Sequence, residues 1–380
     1  MEKKKTNNII GGFLGKLWES FAHGVKGTYR VLTFPLFSRE AYGQPIKQYS
    51  AVHPITAHRY QTVSVTPPPR VSFLWRWGKA LLLRTLALPI LLVLCLSVIV
   101  YASVRPVHAP IRDFPESLRL YYENAEFKSE DGTVLRGWFI PSLNAEEIVD
   151  DGDQALRKQR PAVVLCHGLG AGRDQLLPLA AQLNGNGFEV LLFDFRGCGL
   201  SDGKRRSFGL HERSDVIAAV HYLYDKSNVD RERIAVIGQD VGGVAALGAA
   251  VRDNNIRAVV IADVDSDLQT ALDRRLERLG MLKQVAISAY MRAFKAFFRV
   301  HENQISSVQM VETLNKNQFL LLIANKQKKS LCLSAQNILK HSRAHTKSVV
   351  VESTVSSSLT NAAKTGPIVI AFLKEVIGQE

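Results

Sequence analysis

With 380 residues, 46% of them apolar, the chain has room for one α/β domain of roughly 250 residues plus a substantial extra segment, and disorder throughout is excluded. The formal net charge of +13 suggests a nucleic-acid partner until it is divided along the sequence: up to Arg84 there are 13 Lys and Arg against 3 acids, and beyond it 35 against 32. A basic arm that ends at a long apolar run faces a membrane surface or fixes topology, so the expected partner is lipid, with no nucleic acid.

The arm spans residues 1–84. Within it Ile9, Ile10, Phe13, Leu14, Leu17, Trp18 and Phe21 recur at helical spacing, which suits an interfacial helix over residues 7–22, although Gly11, Gly12 and Gly15 weaken it. From Glu40 to Arg70 the sequence is polar and Pro-rich, ending in TPPPR, and reads as a linker. Residues 85–104, TLALPILLVLCLSVIVYASV, carry no formal charge. At 1.5 Å per residue, such a helix spans a bilayer core of about 30 Å. Its distance from the N-terminus makes it a signal anchor rather than a cleaved signal peptide, for a single-pass protein. Arg70, Arg76, Lys79 and Arg84 precede the span, and the arginines that follow it are mixed with acids, so the N-terminus is expected in the cytoplasm and the domain on the far side.

From 113 to 380 the pattern alternates between strands and helices. It opens with a hairpin turning at Asp131–Gly132, between LRLYYENAEF and TVLRGWFI. PAVVLC, FEVLLFDF, RIAVIG and IRAVVIAD follow as buried strands separated by helical stretches, then FLLLIA and SVVVES, and a last helix from about Asn361. The fold class is therefore α/β, a doubly wound and mostly parallel sheet with helices on both faces. An excursion over 267–316 takes the place of a lid: Leu268, Leu272, Leu276 and Leu279, and later Tyr290, Met291, Phe294, Phe297 and Phe298, alternate with basic residues. That pattern fits a helix packed on the sheet, or one whose basic face touches anionic lipid or a partner. Cys166, Cys198 and Cys332 have no CxxC or His-partnered spacing, so no disulfide framework, metal site or cofactor is implied.

In a parallel sheet the chemistry gathers at the C-terminal strand ends. There the sequence reads HGLG after PAVVLC, RGCGLSDG after FEVLLFDF and GQDVG after RIAVIG, with LHERSDVIAAVHYL between the last two. In this order the motifs resemble the α/β-hydrolase superfamily, particularly its prolyl-oligopeptidase-like and acyl-esterase-like serine hydrolases, over roughly residues 118–378. The resemblance makes GQDVG the nucleophile elbow, with Gly238 and Gly242 as its glycines and Asp240 where serine would stand. It makes the backbone N–H groups of Leu169 and Val241 the oxyanion-hole donors. It also puts Lys328 at or near the position of the triad acid, and Ser356, give or take two residues, at that of the histidine.

An elbow aspartate is a nucleophile in dehalogenases and epoxide hydrolases of the superfamily, but there a histidine activates the water that cleaves the ester. Here His341 and His345 precede the last strand, at the far edge of the sheet; His301 lies in the excursion; His167 is structural by resemblance; His211 and His221 read as surface or packing residues. Asp263, Asp265 and Asp267 crowd the site, so the carboxylates would raise one another's pKa or call for a metal or Arg partner. A site built from Asp240, Asp263 and Asp265 lacks recognisable metal-ligand spacing. The expectation is a membrane-anchored pseudo-hydrolase that binds an unknown small-molecule or protein ligand. The alternatives are an active hydrolase on an ester-like, epoxide or halide substrate with Asp240 as nucleophile, and a membrane scaffold acting through its basic arm.

Overall fold

The computed structural model describes residues 73–142 except 107, then 149, 150, 152, 154, 157–299, 302–352 and 357–378. The chain divides into two units, 1–71 and 72–380. The first unit, with the expected interfacial helix and linker, lies outside the described residues.

Eight strands form one sheet in the order β1-β2-β4-β3-β5-β6-β7-β8. They are β1 (Glu123–Lys128), β2 (Val134–Ile140), β3 (Arg160–Cys166), β4 (Glu189–Phe193), β5 (Val229–Gln239), β6 (Ile256–Ala262), β7 (Phe319–Asn325) and β8 (His345–Val351). β1–β2 and β2–β4 pair antiparallel, and all other neighbours pair parallel. The central strands are buried on both faces, which is why they read as continuous Val, Ile, Leu and Ala rather than as an alternation. Their two faces feed two separate cores. Val164, Val236 and Val259 point into one; Val163, Ile237 and Val260 point into the other.

The helices are α1 (Phe73–Val104), α2 (Leu177–Asn184), α3 (Glu212–Tyr224), α4 (Val241–Arg252), α5 (Leu268–Arg275), α6 (Lys283–Phe298), α7 (Ser307–Thr313), α8 (Lys329–His341) and α9 (Ala362–Val376). α2 and α9 cover one face of the sheet, and α3 and α4 the other. β8 starts at His345 rather than Ser348, because the parallel ladder with β7 holds from its first residue, Phe319 against His345. In the excursion the leucine stripe ends early. α5 stops at Arg275 and Gly280 takes a φ of 52°, so Leu268 and Leu272 are buried whereas Leu279 is exposed.

α1 has 32 residues and begins twelve residues before the expected Thr85. Among the described residues no helix is long and apolar enough to cross a membrane. Several of α1's side chains lie outside the described set; of those within it, Leu81, Leu82, Leu83, Leu86, Leu88, Ile90, Leu91, Leu94, Val98 and Tyr101 are exposed. Its last residue belongs to the domain: Val104 is buried in the core, and its carbonyl accepts from Arg206 N–H at 2.8 Å. Beyond it, His108 Nδ1 lies 2.9 Å from the Gly199 carbonyl, so packing on the domain begins before residue 113.

Candidate functional site

β5 runs straight into α4 through Asp240, whose φ of 52° and ψ of −117° put a side chain where the backbone turns most sharply. The two glycines make that turn possible. A Cβ on Gly238 would run into the backbone of Gly242, and one on Gly242 into the carbonyls of Cys166 and His167. α4 thereby packs directly on the end of β3, and the Asp240 carboxylate faces the excursion.

A basic residue waits there. Arg275 Nη2, at the end of α5, donates to both Asp240 oxygens at 3.2 Å, and its guanidinium lies 5.8 Å from the Phe208 ring. Burial pushes the Asp240 carboxyl above the usual range, as does nearby Asp265, while Arg275, Arg274 and the Leu169 N–H pull it back. One residue before Arg275, Arg274 forms a two-pronged pair with Asp265, at 3.2 and 2.7 Å. Arg274 and Arg275 supply the arginine partners that the crowded acids called for. Their signal in the sequence was the Asp-Arg-Arg run at 273–275, one short helix after the acidic strand end.

The carboxylates do not converge. Asp263, itself at a φ of 54°, is 4% exposed. It accepts from Asn325 N–H (3.0 Å), Ser358 N–H (2.8 Å), Ser358 Oγ (2.8 Å) and Gln239 Nε2 (3.1 Å). It therefore ties the ends of β5 and β7 to the loop after β8. Ser358 stands within the window set around Ser356, which itself lies outside the described residues. Lys328 occupies the N-cap of α8, its N–H donating to the Asn325 carbonyl at 2.9 Å.

The loop after β3 is pinned from behind. The Phe195 N–H donates to His167 Nε2 at 3.1 Å, so Nδ1 carries the proton toward the Gly168 carbonyl at 2.9 Å. Burial lowers the His167 pKa, which suits a neutral structural imidazole. His211 stacks near Phe298, His345 on Phe319 at the start of β8, and His341 bonds its own helix at Asn337. His301 lies outside the described residues.

Two arginine networks that the motif reading did not single out build the remaining loops. Asp194 accepts from Arg173 N–H and Nε and from Leu200 N–H, at 2.8, 3.0 and 2.9 Å. Arg196 donates to Asp215, Asp131 and Ser129. Both belong to DFRG, whose pairing partner in ERSD was visible in the sequence. Phe208 closes the space above the elbow. Its φ of 55° is unusual for an aromatic, and it is held there by Glu212, which accepts from Ser207 N–H and Oγ and from Gly209 N–H. Phe208 and Val241 separate two chambers of about 20 Å³ each, one lined by Asp240, Asp265 and Arg275, the other by His167, Leu169 and Cys198. Each has space for about one water.

A family model for the alpha/beta hydrolase fold matches residues 161–354. The uncharacterized protein YfhR of Escherichia coli is 29% identical over 195 residues, 50% of this chain and 60% of that protein. A polyketide transferase of Stachybotrys chlorohalonatus is 32% identical over 172 residues, 42% of this chain and 53% of that one. The match spans less than two thirds of the length of either relative. Among solved structures, an esterase of Pyrococcus furiosus superposes with a TM-score of 0.57 at 21% identity, covering 72% of this chain and 100% of the esterase.

Proposed function

Because the chain belongs to the α/β-hydrolase family, we propose that it is a membrane-tethered member that holds a ligand rather than hydrolysing one. The observation that carries this reading is the state of the elbow carboxylate. Asp240 is engaged by Arg275 across both of its carboxylate oxygens. With Arg275 across both of its oxygens, the carboxylate faces a guanidinium where a substrate would approach it. Sequence adds Lys328 and Ser356 where an acid and a histidine would act. Tethering is supported by the charge-free run 85–104, which lies inside α1, and by the exposed leucines along that helix.

The purified chain is expected to be inert toward acyl esters and fluorophosphonate probes; turnover that disappears in Asp240→Ala would overturn the binding reading. Alkaline carbonate should leave the chain in the membrane fraction, and release would overturn the tether. With the tether upheld, digestion of sealed vesicles from the cytoplasmic side should remove the arm and spare the domain.

A second reading, hydrolysis through Asp240, is favoured by the elbow strain that persists at φ 52°, which costs on the order of 1–3 kcal/mol. Its water-activating base would have to come from outside the hydrogen bonds described for the histidines here. Substrate-dependent formation of an aspartyl ester, seen as a mass increase on the peptide containing Asp240, is its positive test.

A further inference from the structure

The apolar surface left bare by the excursion lies between α5 and α6. Gly280, at a φ of 52°, turns the chain so that Leu279 and Met281 project on either side, 45% and 96% exposed. Val285, 58% exposed, continues this knuckle onto α6. From there one stripe of α6 stays exposed at helical spacing, Val285, Ser288, Arg292 and Ala296, with Arg299 exposed just past the helix end, while Ile287, Tyr290, Met291 and Phe294 on the opposite side are buried in the core. Between 268 and 300 the sequence holds seven Lys and Arg against two acids; Arg274, Arg275 and Lys283 are paired with Asp265, Asp240 and Asp273, and Arg278, Arg292 and Arg299 are exposed.

The far end of this surface meets the foot of α1. α1 packs against α6, Arg205 lies 4.6 Å over the Phe297 ring, and the neighbouring Arg206 N–H is bonded to the Val104 carbonyl. α6 has 16 residues, about 24 Å, so a helix lying along a bilayer surface from that foot carries the knuckle well out over the headgroups. An exposed apolar tip joined to a cationic helix face, beside an anchor, is the chemistry of an interfacial lipid contact.

We propose that the knuckle Leu279–Met281 and the exposed stripe of α6 dock on the surface of an anionic lipid bilayer. This rests on α1 being the tether, which brings that surface within reach. Docking would place α5, whose last residue clamps Asp240, directly behind a membrane contact.

The test uses the full chain reconstituted in vesicles of phosphatidylcholine, with or without phosphatidylserine. Cys95 and Cys332 are replaced by Ser, and a solvatochromic maleimide is attached at Met281→Cys or, as control, at Glu232→Cys, which is exposed near the N-terminal end of β5. The expected result is a blue shift and quenching by lipid-borne quenchers at 281 and not at 232, stronger with phosphatidylserine and reduced by salt. Equal, water-like emission at both positions overturns the docking, and an unchanged signal without phosphatidylserine overturns its anionic specificity. A shift seen in native membranes but not in pure lipid overturns it in favour of a protein partner. Carbonate extraction of the same samples reads the tether separately. If the chain is released, its co-flotation with phosphatidylserine vesicles decides the docking: loss in the double variant Met281→Asp, Val285→Asp upholds it, and equal flotation overturns it.

Discussion

Asp263 is a carboxylate that the crowded strand end offered to a metal or an arginine, and its surroundings give it a different duty whose cost can be worked out. Four donors converge on it, from Asn325, Ser358 twice and Gln239, and it is 4% exposed. In Asp263→Asn the side chain keeps its shape, and Asn tolerates the φ of 54°, so backbone strain does not confound the measurement. The retained oxygen satisfies the Asn325 N–H and Ser358 Oγ, but the new NH₂ faces two donors, the Ser358 N–H and Gln239 Nε2. Gln239 cannot flip without cost, because its Oε1 accepts from the Leu359 N–H at 3.1 Å. Two buried donors left without acceptors, at about 1–3 kcal/mol each, put the loss at roughly 3 kcal/mol. At roughly 2–4 °C per kcal/mol for a domain of this size, Tm falls by about 10 °C. Thermal unfolding of the full chain followed by near-UV circular dichroism is the assay. A Tm within about 2 °C of wild type would mean that the hub does not hold the strand ends together, and would return Asp263 to the list of chemical groups.

Other predictions follow from the same accounting. Arg196→Met strands Asp215 as an unpaired, fully buried carboxylate and should cost about 3–5 kcal/mol, with Asp215→Asn restoring part of it; strictly additive losses in denaturant unfolding would refute the pairing. Burial raises Glu189 from 4.5 to about 7, opposed by the Ser142 N–H and Arg160. Its folded pKa is thus above its unfolded one, the native state binds more protons in between, and stability falls as pH rises from about 4.5 to 7, by up to about 3 kcal/mol. Glu189→Gln should flatten that part of the stability profile, and an unchanged slope would refute the assignment. Gly242→Ala drives a methyl into the carbonyls of Cys166 and His167 and should cost more than about 3 kcal/mol, whereas Gly185→Ala, whose Cβ finds ordinary contacts, should be near neutral in the same thermal assay.

The parts legible in the sequence are those whose physics is local or backbone-borne. Central strands announce themselves because both faces are buried, and the elbow because two glycines flanking one residue leave no steric alternative at Gly238 and Gly242. The hairpin turn is legible for the same reason, with Gly132 at a φ of 83°. What the sequence withheld depends on which side chain meets which across the fold. Asp240, Asp263 and Asp265 look alike on paper, yet one faces Arg275, one a ring of N–H donors and one Arg274. Position along the strand end does not fix the partner there: Asp240 and Asp263 both take left-handed φ, yet one carboxylate meets Arg275 and the other the donors of Asn325, Ser358 and Gln239.

The same contrast separates the fold from the chemistry at the elbow. Serine and aspartate place equal demands on the strained turn, so selection for the fold alone preserves Gly238, Gly242 and the φ at 240 whichever residue stands there. The Leu169 N–H is likewise main chain and donates to whatever anion occupies the space. An aspartate fills that space with a charge of its own, and a charge held in place calls for a counter-charge. Arg275, at the end of a short excursion helix, supplies it at 3.2 Å. The excursion thereby acts as the partner of the elbow carboxylate, and any group approaching Asp240 from that side would meet the Arg275 ion pair first.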